Sequence, residues 1–363
     1  MPQEIKYFGT LTSQATNLFT YDNVSLSDVL QDVVEDVDTY QRQIQEFFDP
    51  LSEKTETIAK VVNYFKGDVA EYSEAGRPQP QVDQYVFEQQ VAMRRLTAGL
   101  QITADAIAMM TAEEVAARVQ AKLQGFRNER FRDIRRAIFN NTTRSVVDFL
   151  QQYQAITMPF FNFPTDTDKA PPIEDYVFKP GDLNHYSGVA AANVITAAEL
   201  RDKLIDKVAH HGFNLIEIWV SKWDRATIDT LAASGSFTPA AEVIGSDTTI
   251  RTRSANGNSR LKRLSPWEGL VGFVYEIPII KTPLVPEKYA MAIGVDGGAN
   301  RAPFLSRSSA IEAFNGLKMD VRNQNAPLED TIMKDSWGYA PNHRGAVAVL
   351  KLDATTYSAP AVI

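Results

Sequence analysis

The amino-acid sequence predicts an α+β fold. Three segments carry this prediction. Residues 111–139 have the spacing of a long amphipathic helix, and residues 55–97 contain the period-two alternation of strands. The segment from Trp267 to Leu350 alternates short apolar stretches with turns rich in Gly, Pro and Asn, and it contains no catalytic signature. Helices and strands therefore combine in one mixed fold.

The composition is that of an ordinary globular protein. Of the 363 residues, 44% are hydrophobic and 23% are charged, which excludes wholesale disorder. A formal net charge of -8 disfavours a chain that grips nucleic acid over its whole surface, although a protein that merely encloses DNA remains compatible with it. The absence of cysteine excludes disulfides and zinc-thiolate sites. The lack of an apolar signal core predicts a cytoplasmic compartment and no membrane partner.

The first predicted helix covers residues 25–48 and ends before Pro50. It opens with Ser25 and Asp28 in a capping-box-like spacing. Apolar residues recur at steps of three and four, at Leu26, Leu30, Val33, Val37, Tyr40, Ile44 and Phe47. The acidic outward positions of its N-terminal half are expected to form a solvated face, since the helix dipole favours negative charge there.

A long two-stranded arm follows. Residues 58–65 and 84–94 are apolar or alternating, and the turn-forming stretch 74–81 separates them. An isolated hairpin is marginally stable in water, so the arm must lie against another surface. We therefore predict that its aromatic residues contact a neighbouring subunit; they are Tyr64, Phe65, Tyr85 and Phe87. The alternative is that the arm belongs to an internal sheet.

The longest predicted helix opens with the capping box Thr111-Ala-Glu-Glu114 and reaches Phe139, about 40 Å at 1.5 Å per residue. One stripe is apolar and comprises Val115, Val119, Leu123, Phe126, Ile134 and Ile138. The remaining positions are rich in Arg and Lys, and four of them are taken as a basic face: Arg118, Lys122, Arg127 and Arg130. This face is expected to be solvated or to contact a subunit, with phosphate contact as the alternative.

The second half of the chain is predicted to hold a capped helix, a buried strand and a long loop. Thr196 and Glu199 cap a helix with Leu200, Leu204 and Val208 inward, Gly212 ends it, and residues 215–220 form the strand. Residues 234–265 form a long polar loop expected to face a symmetry axis or the surface. Its basic residues are Arg251, Arg253, Arg260, Lys262 and Arg263.

No arrangement of residues in the sequence indicates catalysis. The histidines at 185, 210, 211 and 343 have no recognised ligand spacing, and His210 and His211 suit the C-terminal end of a helix. We therefore expect no metal site, no cofactor and no enzymatic activity.

Four motifs in this order resemble the major capsid proteins of tailed double-stranded DNA phages, which have the Hong Kong 97 capsid fold. They are Leu183-Asn-His-Tyr186, Lys207-Val-Ala-His-His-Gly-Phe-Asn-Leu-Ile-Glu-Ile-Trp219, Val285-Pro-Glu-Lys-Tyr-Ala-Met-Ala292 and Trp337-Gly-Tyr-Ala-Pro-Asn-His-Arg-Gly-Ala-Val-Ala-Val349. They look like that family's helix-to-strand step, its axial-domain strand and its closing strand. The resemblance extends over nearly the whole chain.

The resemblance implies an N-terminal arm (residues 1–50), an extended E-loop (51–100) and a peripheral domain (101–184) with a spine helix at 111–139. An axial domain with returning peripheral strands (185–350) and a C-terminal tail (351–363) complete the expected organisation. It implies hexamers and pentamers of an icosahedral virion shell, assembled in the host cytoplasm and enclosing double-stranded DNA without sequence-specific binding. Expected partners are further copies of the chain, a separate scaffolding protein, a portal and a decoration protein. The alternatives are an encapsulin-type compartment and an unrecognised hydrolase or sugar-binding enzyme.

Overall fold

A computed structural model describes residues 19–48, 51–65, 84–162, 184–190, 195–221, 237–239, 269–295, 302–321 and 331–361, and the statements below concern these residues. The helices are α1 (Leu26–Phe48), α2 (Ala104–Met109), α3 (Ala112–Phe139), α4 (Ala197–Leu200) and α5 (Asp206–Ala209). A π-helical turn, Arg201–Ile205, joins α4 to α5. No helix in the described ranges is long and apolar enough to cross a membrane.

Sixteen strands accompany these helices within the described part of the chain. They are β1 (Ser52–Thr55), β2 (Ala59–Phe65), β3 (Gln84–Gln90), β4 (Arg94–Leu100), β5 (Arg144–Asp148), β6 (Gln154–Met158), β7 (Tyr186–Gly188), β8 (Ile216–Ser221), β9 (Phe237–Pro239), β10 (Gly269–Val274), β11 (Ile277–Thr282), β12 (Tyr289–Gly294), β13 (Phe304–Arg307), β14 (Gly316–Val321), β15 (Thr331–Pro341) and β16 (Val347–Lys351). The predicted α+β composition is confirmed.

The strands form two large sheets and two hairpins. A five-stranded sheet has the order β1-β13-β15-β14, and β4 also pairs with β15. A seven-stranded sheet has the order β7-β16-β12-β8-β11-β10-β9. β2 pairs with β3, and β5 pairs with β6, as separate antiparallel ladders. The chain passes from one large sheet to the other through residues 342–346, which connect β15 to β16.

Both helices predicted in the first half are present, and they pack on the five-stranded sheet. The capping box at Thr111 and Glu114 is formed, and the predicted apolar stripe of α3 is buried. The apolar face of α1 is buried in the same core as that stripe, through Val29, Val33, Val37, Tyr40, Ile44 and Phe48. Helix α1 thus packs against its own chain, on α3 and β14.

The central strands β8, β12 and β16 of the seven-stranded sheet are buried on both faces. Every residue of its strand β12 is buried, and period-two alternation divides them between two cores. Met291 and Ile293 join the core under α3, whereas Ala290 and Ala292 join a second core. The predicted helix residues Leu200, Leu204 and Val208 cover that second face. The capping box at Thr196 and the positive φ of Gly212 are also as predicted.

Helix α3 is tied to β15 by buried charges of both signs. The Arg130 guanidinium donates two hydrogen bonds to the Asp335 carboxylate, one of them at 2.7 Å from Nε to Oδ2. The Tyr40 hydroxyl donates to the same carboxylate at 2.9 Å. Burial, the largest single effect, would lower the pKa of Arg130, but Asp335 together with Tyr40 and Tyr339 outweighs it and raises that pKa. The arginine is therefore charged, and its charge is compensated.

Asp133, one helical turn after Arg130, is a buried anion that is surrounded by hydrogen-bond donors and cations. Its carboxylate accepts a hydrogen bond from Trp337 Nε1 at 2.9 Å and forms an ion pair with Arg94 of β4. Arg144 Nη1 lies 3.5 Å from the same carboxylate. Helix α3 thus gives one buried cation and one buried anion to the sheet, and each has a partner on β15.

We predict that Asp335→Asn lowers the free energy of unfolding by about 3–5 kcal/mol, because it leaves the buried Arg130 charge uncompensated. Chemical denaturation of the unassembled chain measures this. Adding Arg130→Met to Asp335→Asn is expected to restore part of the loss. Arg118→Gln, on the exposed side of the same helix, serves as control and should change stability by less than about 0.5 kcal/mol. Equal effects of Asp335→Asn and Arg118→Gln would contradict this role of the ion pair.

Candidate assembly surfaces

The predicted arm is present as the antiparallel hairpin of β2 and β3. Within the described residues, these two strands pair only with each other. The register places Tyr64 opposite Tyr85, and Val62 opposite Phe87. Positions 64, 85 and 87 therefore fall on one face of the ladder and Phe65 on the other. The side chains of these four predicted contact residues lie outside the described part, so their role remains a prediction.

The hairpin is shorter than the expected E-loop of residues 51–100. Its flanking strands β1 and β4 belong to the five-stranded sheet, where they pair with β13 and β15. The Val91 amide donates to the Ile58 carbonyl at 2.8 Å and closes the ladder at its root. Both residues join a small apolar cluster with Met158, Leu305 and Ala340. The part that pairs with no other described strand is thus the ladder beyond residues 58 and 91.

The root of the hairpin is held by a second buried ion pair. Arg307 Nη1 pairs with the Asp148 carboxylate and donates to the Val91 carbonyl at 3.1 Å. Asp148 also accepts from the backbone amides of Met93 at 3.0 Å and Leu150 at 2.8 Å. Arg307 and Asp148 therefore fix residues 91–93 through two buried hydrogen bonds, one to the Val91 carbonyl and one from the Met93 amide.

The same root lies directly against β15 at Gly338. A Cβ atom added to Gly338 would lie 2.7 Å from the Ala92 carbonyl oxygen, a distance that requires the backbone to move. Glycine is needed here for close approach of two backbone segments. The hairpin consequently leaves the body of the protein at a constrained position.

The predicted basic face of α3 is split by the structure. Arg118 and Lys122 are exposed, as predicted. Arg127 is partly buried and donates to the Gln43 side chain of α1. Arg130 was wrongly placed on this face, since it is buried with 6% of its surface exposed. It stands four residues from both Phe126 and Ile134, on the buried stripe, and that spacing is the signal that identifies it.

Helix α3 also reaches the seven-stranded sheet. The Arg135 Nε donates to the Leu284 carbonyl at 3.0 Å, and its Nη2 donates to the Pro283 carbonyl. Both carbonyls lie in the turn between β11 and β12. Burial lowers the pKa of Arg135, with Arg132 adding to the effect. A single helix therefore makes buried or partly buried polar contacts with both large sheets.

An exposed apolar spot not identified from the sequence lies at the N-terminal end of α3. Tyr21 and Met109 are 77% and 80% exposed. The Tyr21 amide donates to the Met110 carbonyl at 2.9 Å, and the Asp22 carboxylate accepts from the Ala112 amide at 3.2 Å, which holds the two segments side by side.

Two further predictions concern loops and histidines. The predicted axial loop residues Arg251, Arg253, Arg260, Lys262 and Arg263 lie outside the described residues.

The histidines, treated as unrelated in the sequence, are brought together in the structure. Ligand atoms of His185, His210 and His211 all lie within 4.8 Å of one another. Their separation along the chain hid this cluster, because the fold rather than a local motif assembles it.

The fold is similar to that of solved phage structures. A structure from Mycobacterium phage Patience has a TM-score of 0.62 with 19% identity over 94% of this chain and 93% of that chain. Weaker similarities are to the cyanophage A-1(L) capsid asymmetric unit (TM-score 0.46, 12% identity, 86% of this chain and 93% of that chain) and to the mature capsid of bacteriophage PhiM1 (TM-score 0.44, 11% identity, 84% and 86%). No protein-family model and no curated protein sequence matches the chain.

The chain therefore shares its fold of mixed helices and strands with the structure from Mycobacterium phage Patience. The Hong Kong 97-like architecture expected from the sequence is confirmed at the level of the fold.

We predict that Gly338→Ala destabilises the unassembled chain by about 1–3 kcal/mol, because the new methyl group displaces residues 91–93 at the hairpin root. Chemical denaturation gives the change in the free energy of unfolding. The matched control is Gly125→Ala in α3, where an added Cβ meets nothing within 4 Å. This change should stabilise the chain by about 0.5–1 kcal/mol, as expected of glycine replacement within a helix. Loss of stability in the control alone would contradict the prediction.

Proposed function

We propose that this protein is the structural subunit of an icosahedral phage head, in which hexamers and pentamers enclose double-stranded DNA. The observation that carries the proposal is the β2–β3 ladder, which joins neither large sheet in the described part of a chain with the capsid fold. An isolated two-stranded ladder needs additional cover to be stable. A neighbouring copy of the chain supplies that cover in a closed shell.

The rest of the structure suits a subunit that must transmit force between contacts. The rod of α3 is 28 residues long and contacts both large sheets through Arg130 and Arg135. The hairpin root is fixed to β13 and β5 by the pair of Arg307 with Asp148. A force that a neighbouring subunit exerts on the hairpin is therefore transmitted to the packed body of the protein.

The charge of the chain favours enclosing DNA over gripping it. The net charge is -8, and two of the four predicted basic residues of α3 are turned toward the protein itself. Phosphate contacts require clustered exposed Lys and Arg, so general adhesion to packaged DNA is disfavoured. The proposed role is structural and non-enzymatic, in the virion. Assembly in the host cytoplasm with a separate scaffolding protein, a portal and a decoration protein is part of the proposal.

We predict that shortening the hairpin abolishes stable shells while leaving soluble subunits or capsomers. Residues 66–83 are replaced by Asn-Gly, since Phe65 and Gln84 pair directly and a two-residue turn closes such a ladder. Negative-stain microscopy and sedimentation measure assembly, and circular dichroism confirms that the body is folded. Intact particles from the shortened chain would refute the proposed contact.

A substitution set tests the ladder itself. Tyr64→Ser, Tyr85→Ser and Phe87→Ser are combined, and Tyr153→Ser serves as the control because it removes an exposed aromatic residue from the β5–β6 turn. The triple variant should lose shells, and the control should keep them. Assembly equal to that of the wild type in the triple variant would refute a contact role for this face of the hairpin.

The contents of the particles separate the phage head from an encapsulin-type compartment. We predict that particles purified from their natural source contain nuclease-protected double-stranded DNA. Absorbance spectra, nuclease protection and gel analysis of the contents measure this. Particles that instead hold a single cargo protein and no DNA would favour the encapsulin-type compartment, and a monomer that never assembles would refute both.

A further inference from the structure

Three histidines converge where the two large sheets are joined. His185 directly precedes β7, and His210 and His211 directly follow α5. The ring centroids of His210 and His211 are 4.4 Å apart, and those of His185 and His211 are 4.9 Å apart. A fourth histidine, His343, lies in the connection from β15 to β16, with its ring 6.2 Å from that of His211. The cluster thus involves both sheets and the helix that covers one of them.

The hydrogen bonding of His185 determines which of its nitrogens faces the cluster with a lone pair. His185 Nδ1 lies 2.8 Å from the Val347 carbonyl oxygen, which can only accept, so Nδ1 carries the hydrogen. In the neutral ring, Nε2 then carries a lone pair, and it lies 2.9 Å from His211 Nε2. Histidines that bind metals in proteins are oriented in this way, by donation of the other ring N–H to a carbonyl or carboxylate.

The surroundings of His185 and His211 also lower the pKa values of both rings. Burial lowers the pKa of His185 to about 3, against the smaller opposing effect of the Val347 carbonyl. Burial likewise lowers the pKa of His211, with His185 and His210 adding to it, and Lys207 acts in the same direction on both. The two rings are therefore neutral near pH 7, which is the state that coordinates a metal.

We propose that His185, His210 and His211 bind one divalent transition-metal ion of the zinc class. Three imidazole nitrogens without a carboxylate suit Zn²⁺ and related ions rather than Ca²⁺ or Mg²⁺, which take oxygen ligands. Zinc–nitrogen bonds of about 2.0–2.1 Å in a tetrahedron separate the nitrogens by about 3.3 Å. The two Nε2 atoms at 2.9 Å need only a small opening by ring rotation. His210 keeps part of its surface exposed, which provides the route of entry and the side for a water ligand.

The surroundings hold the rings in place. A Cβ atom added to Gly345 would lie 2.4 Å from the His211 ring, so glycine lets that ring pack against the backbone of the connection. The edge of Phe213 packs on His343 with centroids 5.1 Å apart. A bound ion would fasten the end of α5 to the segment that begins β7. This site is independent of the proposed shell function.

The experiment is zinc binding by the full-length unassembled chain after treatment with a chelator. Isothermal titration and elemental analysis should show one Zn²⁺ per chain, and Co²⁺ should give the visible spectrum of a tetrahedral nitrogen site. Zinc should raise the melting temperature of the wild type. His210→Gln, at the partly exposed ligand, should weaken binding by at least about 100-fold, the upper end of what loss of an outer-shell partner causes.

His343→Gln is the matched control, because it removes a histidine of the same cluster that is outside the proposed ligand set. It should bind zinc with the affinity of the wild type. Circular dichroism establishes that each variant is folded, and His185→Gln provides a second ligand variant. Absence of saturable Zn²⁺ and Co²⁺ binding in the wild type would overturn the proposal. So would wild-type affinity in a folded His210→Gln variant.

Discussion

The attachment of α3 to β15 is the constraint on which the rest of the structure depends. It consists of a buried cation, Arg130, and a buried anion, Asp133, on one helix, with Asp335 and Trp337 as partners on one strand. Burying charges has a large desolvation cost, so such pairs are stable only when every partner is in place. Tyr40 brings α1 into the same network, because its hydroxyl donates to Asp335. Small displacements of α3 therefore break several shielded interactions together, which favours one position of the helix over sliding.

The position of α3 also constrains the other parts of the molecule, because covalent and polar connections join them to this helix and to β15. β15 carries Gly338 at the hairpin root and continues through residues 342–346 into β16 of the other sheet. Arg135 attaches the same helix to the turn between β11 and β12. The angle at which the hairpin leaves the body is thus coupled to both cores. A shell subunit benefits from this coupling, since contacts at its edges are then borne by packed interior groups.

Local patterns in the sequence predicted the elements well, and non-local contacts were missed. Capping boxes and apolar spacing located α1 and α3, because a helix terminus is determined by residues three or four positions apart. Arg130 was misplaced although its spacing from Phe126 and Ile134 puts it on the buried stripe, because the acid that compensates its charge, Asp335, is 205 residues away in the sequence. The histidine cluster was missed for the same reason, since His185 and His211 meet only after β7 and α5 have packed. Alternation predicted the two strands of an arm, with an internal sheet as the alternative, and the strand pairing of the described residues supports the separate arm.

The division between self-sufficient and dependent parts supports the assembly role more strongly than any single motif. Two extensive apolar cores, buried ion pairs and a helix in contact with both sheets give the body of the chain its own stability. The β2–β3 ladder pairs with no other strand in the described part of the chain, and at its root Ile58 and Val91 enter a small apolar cluster. A protein that acted alone would gain little from a strand pair outside its sheets, because the ordering entropy of that pair is not offset within the chain. In the proposed shell, a second copy of the same chain supplies cover for this ladder.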